Sequence, residues 1–341
     1  MRIKSVAVLN GGEVLAESVL TSEKSVLIPK GTALKADYVP LIQSLGIEAL
    51  MVEDPYEHLE EPNTIIHPLR LQAYVERVQK LIENHIYHGK KSLFELEVIA
   101  HEIVREIDSM PEDAVFDMNE RTANLYEHTV MVTLLSVAVA KKLRLDHKRR
   151  YHIAIGCLLH DIGIRYITVG YENRDWTAAD AADIFEYKKH TILGYSALDE
   201  EPWVPDIARK MVLFHHEKLD GSGFPMRQKN RETECRIIQA CDTFDCYISG
   251  MECRRMSVQE ALQQITADGL RYEQKIVEHL VTMIAKYPVG TKVRTSDEAE
   301  GVVVSQTLDP ENPIIMVINT EDKNYRRNLM LEKNTSILQI V

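Results

Sequence analysis

The period at which apolar residues recur changes twice along this chain. Residues 1 to about 55 alternate short apolar runs with turn residues: SVAVL, then Asn10-Gly11-Gly12, EVLAESVL, KSVLIPKG and, after a short helical pattern, IEALMVED. β-Branched runs punctuated by Asn-Gly and Lys-Gly predict a small β-rich module with one helix over residues 1–55. Pro55 and Pro62 then bracket an acidic stretch, YEHLEE, which reads as a linker. From Leu69 the spacing becomes three or four, and Leu71, Val75, Val78, Ile82 and Ile86 fall on one helical face. After Gly89 a second such segment, SLFELEVIAHEIVREI, opens with Ser92 and Glu95 at capping-box spacing. The two segments predict a helical hairpin, so residues 56–118 read as linker plus hairpin. Long helical patterns, clearest in ANLYEHTVMVTLLSVAVAKKL, fill residues 119–287. After Pro288-Val289-Gly290 strand patterns return as TKVRTS, EGVVVSQT, PIIMVINT and SILQIV, a small β module over residues 288–341. The expected fold is mainly α, an all-helical core with small β-rich modules at the N- and C-termini.

Composition narrows the function. A chain of 341 residues holds two or three domains, and its formal net charge is −12. That charge argues against a nucleic-acid polymer or an anionic membrane as partner, since both need a basic surface to displace counterions. A phosphate-bearing substrate would need its cation supplied locally. Cys157, Cys235, Cys241, Cys246 and Cys253 form no Cys-x-x-Cys pair and lie in apolar surroundings, as reduced structural thiols do. No apolar run approaches the ~20 residues of a membrane span, and MRIKSVAVLNGGE is too short and polar for a signal peptide. The expected location is the cytoplasm.

The chemistry gathers around His160-Asp161, which closes the apolar run HIAIGCLL. Adjacent helix residues point about 100° apart, so one core-facing stripe cannot hide both. A buried carboxylate there must be compensated. Other histidines and acids occupy similar places: His128 on the long helix, His190 opening HTILGYSAL, His215-His216 closing ARKMVLFHHE, and Asp242 within RIIQACDTFD. Singly, each histidine reads as a hydrogen-bonded or exposed imidazole. As a set they match what buried divalent cations require, with neutral imidazoles giving lone pairs and carboxylates neutralising charge and bridging ions. Two adjacent side chains that cannot share a stripe can flank one cation or bind two neighbouring ones.

HDIG, HTILG, HHEKLDGSGFP and RIIQACDTFDCYISG, in this order, resemble the HD-GYP family of bacterial phosphodiesterases, a branch of the HD metallohydrolases, over about residues 119–287. The flanking segments GEVLAESVL to LMVED and YPVGTKVRTSDEAEGVVV also resemble modules that accompany this domain. The resemblance implies an all-helical HD core. His128, His160, Asp161, His190, His215, His216 and Asp242 would be its metal ligands, Asp161 bridging two divalent ions, iron or manganese. It implies hydrolysis of cyclic di-GMP to pGpG, and on to GMP, with His160 and Asp161 at the reaction centre. Gly223, Phe224, Asp245 and Arg254 would contact substrate. Phe224 replaces the signature tyrosine, Ile164 stands where a lysine usually follows HDIG, and Met251 stands where an arginine is common. Asn124 stands where some members carry a glutamate ligand for a third ion; its neutral oxygen could approach an ion or it could hydrogen-bond a ligand histidine, and either way the cluster is expected to hold two ions. The other readings are a weakly active or inactive regulator that binds a cyclic dinucleotide or a partner, and an HD phosphohydrolase for another nucleotide. The expected partner is a cyclic dinucleotide, and a homodimer stays open.

Overall fold

The structure is a computed structural model; it describes residues 2–6, 9, 13–20, 25–35, 37–45, 47, 49–53, 60–88, 93–199, 201–229, 232–317 and 325–341. The chain forms two compact units, residues 1–60 and 61–341. In the first, β1 (Arg2–Ser5) pairs antiparallel with β4 (Ala49–Val52), and β2 (Val19–Leu20) with β3 (Val26–Ile28). One helix, α1 (Tyr38–Ser44), contributes Ile42 to a small core with Leu15, Leu34 and Val52. The Asn10-Gly11-Gly12 turn expected from the sequence lies outside the described residues.

The second unit opens with the helical hairpin, α2 (Pro68–His88) and α3 (Leu96–Ser109), cross-linked by an Arg77–Glu102 ion pair of 2.6 Å. Ser92 lies outside the described residues, and a 3-10 turn over Leu93–Glu95 leads into α3, so the helix starts one turn later than the capping pattern expects. Glu95 occupies the N-cap without a side-chain cap bond. The hairpin packs on α4 (Leu125–Lys142), whose Val130, Val132, Leu134, Leu135, Val137, Val139 and Ala140 are all fully buried. A helix apolar on every side can be covered only at the centre of a bundle. Around it lie α5 (His147–Leu159), a 3-10 turn over Ile162–Tyr166, α6 (Ala181–Lys188), α7 (His190–Ala197), α8 (Asp206–Phe214), α9 (Thr233–Ser249), α10 (Val258–Ala267) and α11 (Gln274–Val281). Cys157, Cys235, Cys241 and Cys246 are buried free thiols and Cys253 a half-buried one. No helix among the described residues is long and apolar enough to cross a membrane.

The C-terminal module is one antiparallel sheet in the order β8 (Tyr325–Asn328), β7 (Ile314–Val317), β6 (Glu300–Ser305), β5 (Lys292–Thr295), β9 (Ile337–Ile340). It is tied to the helices through Asp117, whose carboxylate is buried. Asp117 accepts from the Asn63 amide at 2.9 Å, the Val289 amide at 2.8 Å and the Gln306 side chain at 2.8 Å. One side chain thus joins the approach to α2, the entry to the sheet and the strand end after β6.

Candidate metal centre

Both adjacent pairs sit where a helix stops. Helix α5 ends at Leu159 with His160 as its C-cap, and Asp161 starts the following 3-10 turn. Helix α8 ends at Phe214 with His215 as its C-cap. Leaving the helix is what lets neighbouring side chains converge, and the partial negative charge of a helix C-terminus favours a cation there. His190 opens α7, His128 lies in the first turn of α4, and Asp242 projects from the middle of α9. All seven expected ligands are buried, six of them to 2 % exposure or less and His216 to 7 %.

Four imidazoles are aimed by the same device. The Nδ1–H groups of His160, His190 and His215 donate to the carbonyls of Cys157, Tyr187 and Val212, each three residues earlier, at 2.6, 2.7 and 2.8 Å. Nδ1 of His128 meets the Asp245 carboxylate at 2.7 Å. Holding Nδ1 leaves the Nε2 lone pair pointing at the centre. There the Asp161 carboxylate lies between two histidine pairs. Oδ2 is 3.3 Å from His160 Nε2 and 3.6 Å from His128 Nε2. Oδ1 is 3.4 Å from His215 Nε2 and 3.7 Å from His190 Nε2. Asp242 Oδ1 closes the first group at 3.1 Å from His128 Nε2, and His216 joins the second.

This arrangement fits cations. Both oxygens of Asp161 and Oδ2 of Asp242 are buried and, among the described residues, receive no hydrogen bond. Within each group Nε2 atoms face each other at 3.3 Å (His128, His160) and 3.2 Å (His190, His215). Nitrogens at ~2.1 Å from a shared ion are separated by about 3.0–3.4 Å, which both spacings match. The electrostatics agree. Burial opposes charge on His128, yet its bonds to Asp242 and Asp245 outweigh that and hold the ring well above its ordinary range. Asp161 keeps its charge despite burial, drawn well below the usual carboxylate range by His160 and His215. Burial and the neighbouring His216 pull His190 down to about 4, and burial and His215 pull His216 well down. The carboxylates are therefore ionised, and at least two imidazoles offer free lone pairs.

Glycine sets the close packing around this centre. A Cβ on Gly163 would stand 1.8 Å from the His190 carbonyl oxygen and 2.7 Å from the Gly194 amide nitrogen. The 3-10 turn carrying Asp161 and helix α7 carrying His190 therefore touch backbone to backbone. Gly223 is used in the same way, since a Cβ there would lie 2.4 Å from the His216 carbonyl oxygen. That contact lays the Phe224 ring on His216, centroids 4.5 Å apart and 26° from parallel.

The residues expected at the substrate differ in their surroundings. Asp245 is fully buried behind His128, paired to it and to the Arg121 guanidinium, and is closed to substrate. It is one helical turn beyond Asp242 on α9, and that i, i+3 spacing was the available signal. Arg254 is exposed, and the carboxylates it influences are those of Asp175 and Glu260. Asn124 is exposed as well. It caps α4, its side-chain oxygen accepting from the Tyr126 and Glu127 amides at 3.0 Å each, so it neither binds an ion nor bonds a ligand histidine. Ile164 is buried at 3 % exposure and Met251 completely, so neither position is open to solvent. Sequence reasoning missed Glu252, which stands 3.2 Å from His216 Nε2. Burial, then Asp161 and Asp242, push its carboxyl up to about 7.

The family model described as the HD domain matches residues 109–276. A cyclic di-GMP phosphodiesterase of Pseudomonas aeruginosa is 26% identical over 184 residues, 53% of this chain and 44% of that protein. A cyclic di-GMP phosphodiesterase of Thermotoga maritima is 26% identical over 236 residues, 62% of each chain. The chain thus spans about half the length of the curated relatives it matches. Among solved structures, an HD-G"Y"P protein from Bdellovibrio bacteriovorus superposes with a TM-score of 0.51 at 17% identity, over 82% of this chain and 98% of that one, which shows a shared fold.

Proposed function

Because residues 109–276 belong to the HD-domain family, a family of metal-dependent hydrolases, we propose that this protein is a metal-dependent phosphodiesterase that opens cyclic di-GMP to pGpG, with GMP as a further product. The observation that carries the reading is Asp161, a buried carboxylate with one oxygen facing each of two histidine pairs. Asp161 would bridge two divalent ions, iron or manganese. His128, His160 and Asp242 would hold the first, and His190, His215 and His216 the second. The names of the curated relatives support cyclic di-GMP as the substrate. We retain the division into residues 1–55, 56–118, 119–287 and 288–341 as a proposal, and a cytoplasmic location fits the free thiols.

When bound, two ions supply an activated water and offset charge on the phosphoryl oxygens. The chain's own residues do the rest. Asp161 fixes the spacing of the two subsites. The carbonyls of Cys157, Tyr187 and Val212 keep three imidazoles in the tautomer that donates its lone pair inward. Phe224 covers His216 and keeps water off that side. With Ile164 and Met251 both buried, no cation from those positions assists the transition state, and loss of one good donor costs ~10²- to 10³-fold in rate. Turnover is therefore slow. The test is anaerobic loading of pure protein with Mn(II) or Fe(II), incubation with cyclic di-GMP and chromatography for pGpG. Binding without product in fully loaded protein would favour the regulator reading, and turnover of another nucleotide alone would reassign the substrate.

A further inference from the structure

Four of the five histidines at the centre are held through Nδ1, and His216 is the exception. Its Nδ1 faces inward, 3.8 Å from Asp242 Oδ2, while its Nε2 faces Glu252 Oε2 at 3.2 Å and the Tyr187 hydroxyl at 3.4 Å. The Phe224 ring stacked on it fixes the plane of the imidazole but does not decide which edge points inward. We propose that Glu252 makes that choice: as a positioning residue it takes the Nε2–H of His216 and so presents the Nδ1 lone pair to the second metal subsite. The proposal rests on the two-ion reading above and adds to it.

Glu252 is built for this task. It is 8 % exposed, and among the described residues no Lys or Arg pairs with it, whereas Asp245, its counterpart behind His128, has Arg121. Its Oε1 is buried and receives no hydrogen bond among the described residues. A buried carboxyl group with no Lys or Arg beside it needs a strong donor, and an imidazole N–H is one. The chain reaches this point by a sharp reversal. Gly250 ends α9 with φ +71°, a conformation that side chains with a Cβ rarely adopt, and the Asn173 amide bonds its carbonyl at 2.5 Å. The Glu252 carbonyl accepts from the Trp176 indole at 2.6 Å, and Trp176 stacks on Tyr187 with centroids 4.4 Å apart. Both neighbours of Nε2 are thus anchored to one aromatic wall.

The test uses full-length protein, wild type, E252A and E252Q, loaded anaerobically with Mn(II). Free Mn(II) is followed by electron paramagnetic resonance, and the Mn-loaded wild type is crystallised. Expected are two ions in the wild type, with His216 bound through Nδ1 and the other four histidines through Nε2. E252A should keep the first ion and bind the second ~10- to 100-fold more weakly. E252Q, whose amide oxygen can still accept from Nε2–H, should fall between the two. Coordination of His216 through Nε2, Glu252 itself bound to an ion, or an E252A second site as tight as wild type would each overturn the proposal. Wild-type protein that binds no Mn(II) would overturn the metal-centre reading and this inference with it, whereas two tight ions in both wild type and E252A overturn the inference alone. If E252A fails to fold, the coordinating nitrogen in the wild-type crystal decides.

Discussion

Replacing Gly163 by alanine tests the geometry of the centre without touching a single ligand atom. The added methyl carbon would begin 1.8 Å from the His190 carbonyl oxygen, and real Cβ contacts essentially never fall under 3.0 Å. The 3-10 turn and α7 must therefore part by at least about 1.2 Å, since both nearby atoms are backbone and cannot rotate away. Overpacking of this kind costs ~1–3 kcal/mol. At ~2–4 °C per kcal/mol for a unit of this size, Tm falls by ~2–12 °C. The larger effect is local. His190 moves relative to Asp161, whose oxygen it now faces at 3.7 Å, so the second subsite opens. A misplacement of ~1 Å can cost ~10²-fold in rate. The assays are thermal unfolding by circular dichroism, Mn(II) stoichiometry and pGpG formation, all on one preparation. A G163A protein with wild-type Tm and two tightly held ions would show that the two backbones are not in contact and would refute the reasoning.

Four further outcomes are expected. D161A should lose tight binding at both subsites and all hydrolysis; elemental analysis finding two equivalents of metal in D161A would contradict the bridging role. I164K should not restore activity but destabilise the fold by at least ~3 kcal/mol, because it places an ammonium where a side chain is 3 % exposed; a soluble I164K protein with unchanged denaturant midpoint and faster turnover would reverse that conclusion. N124A should cost ~1 kcal/mol through loss of the α4 cap and leave the metal content unchanged, so a drop in stoichiometry would return Asn124 to the centre. In metal-free protein the raised His128 contributes stability that is complete below its ordinary value of 6.5 and is lost as pH rises through its native value. A metal must displace that proton, so the unfolding free energy gained on adding Mn(II) should grow from pH 6 to pH 8, by up to ~1.4 kcal/mol per pH unit; a flat or narrowing difference would count against protonated His128.

The parts of this molecule that local pattern controls are legible in its sequence. Helix α4 shows because its apolar residues fill every face, and β5, β6, β7 and β9 show because Val and Ile runs are separated by turns. The paired His160-Asp161 and His215-His216 reveal a site because no single helical stripe accommodates both members. What depends on distant partners is not legible. Asp245 reads like any surface carboxylate until α4 brings His128 against it, and Glu252 reaches His216 only because Gly250 turns the chain back. Asn124 misleads for a related reason. It shares a helical face with His128 in principle, but as the residue before the first turn its side chain satisfies amide groups that nothing else reaches.

The side chains proposed as ligands come from α4, α5 and the turn after it, α7, the end of α8 and α9, and they span residues 128 to 242. No contiguous stretch of the chain holds either subsite. During synthesis the first subsite lacks Asp242 until more than a hundred residues beyond His128 have been made, and its members must then close a loop of that length. An ion at the first subsite would thus wait for α9. The proposed first subsite exists as a complete set only once Asp242 on α9 has come against His128 on α4.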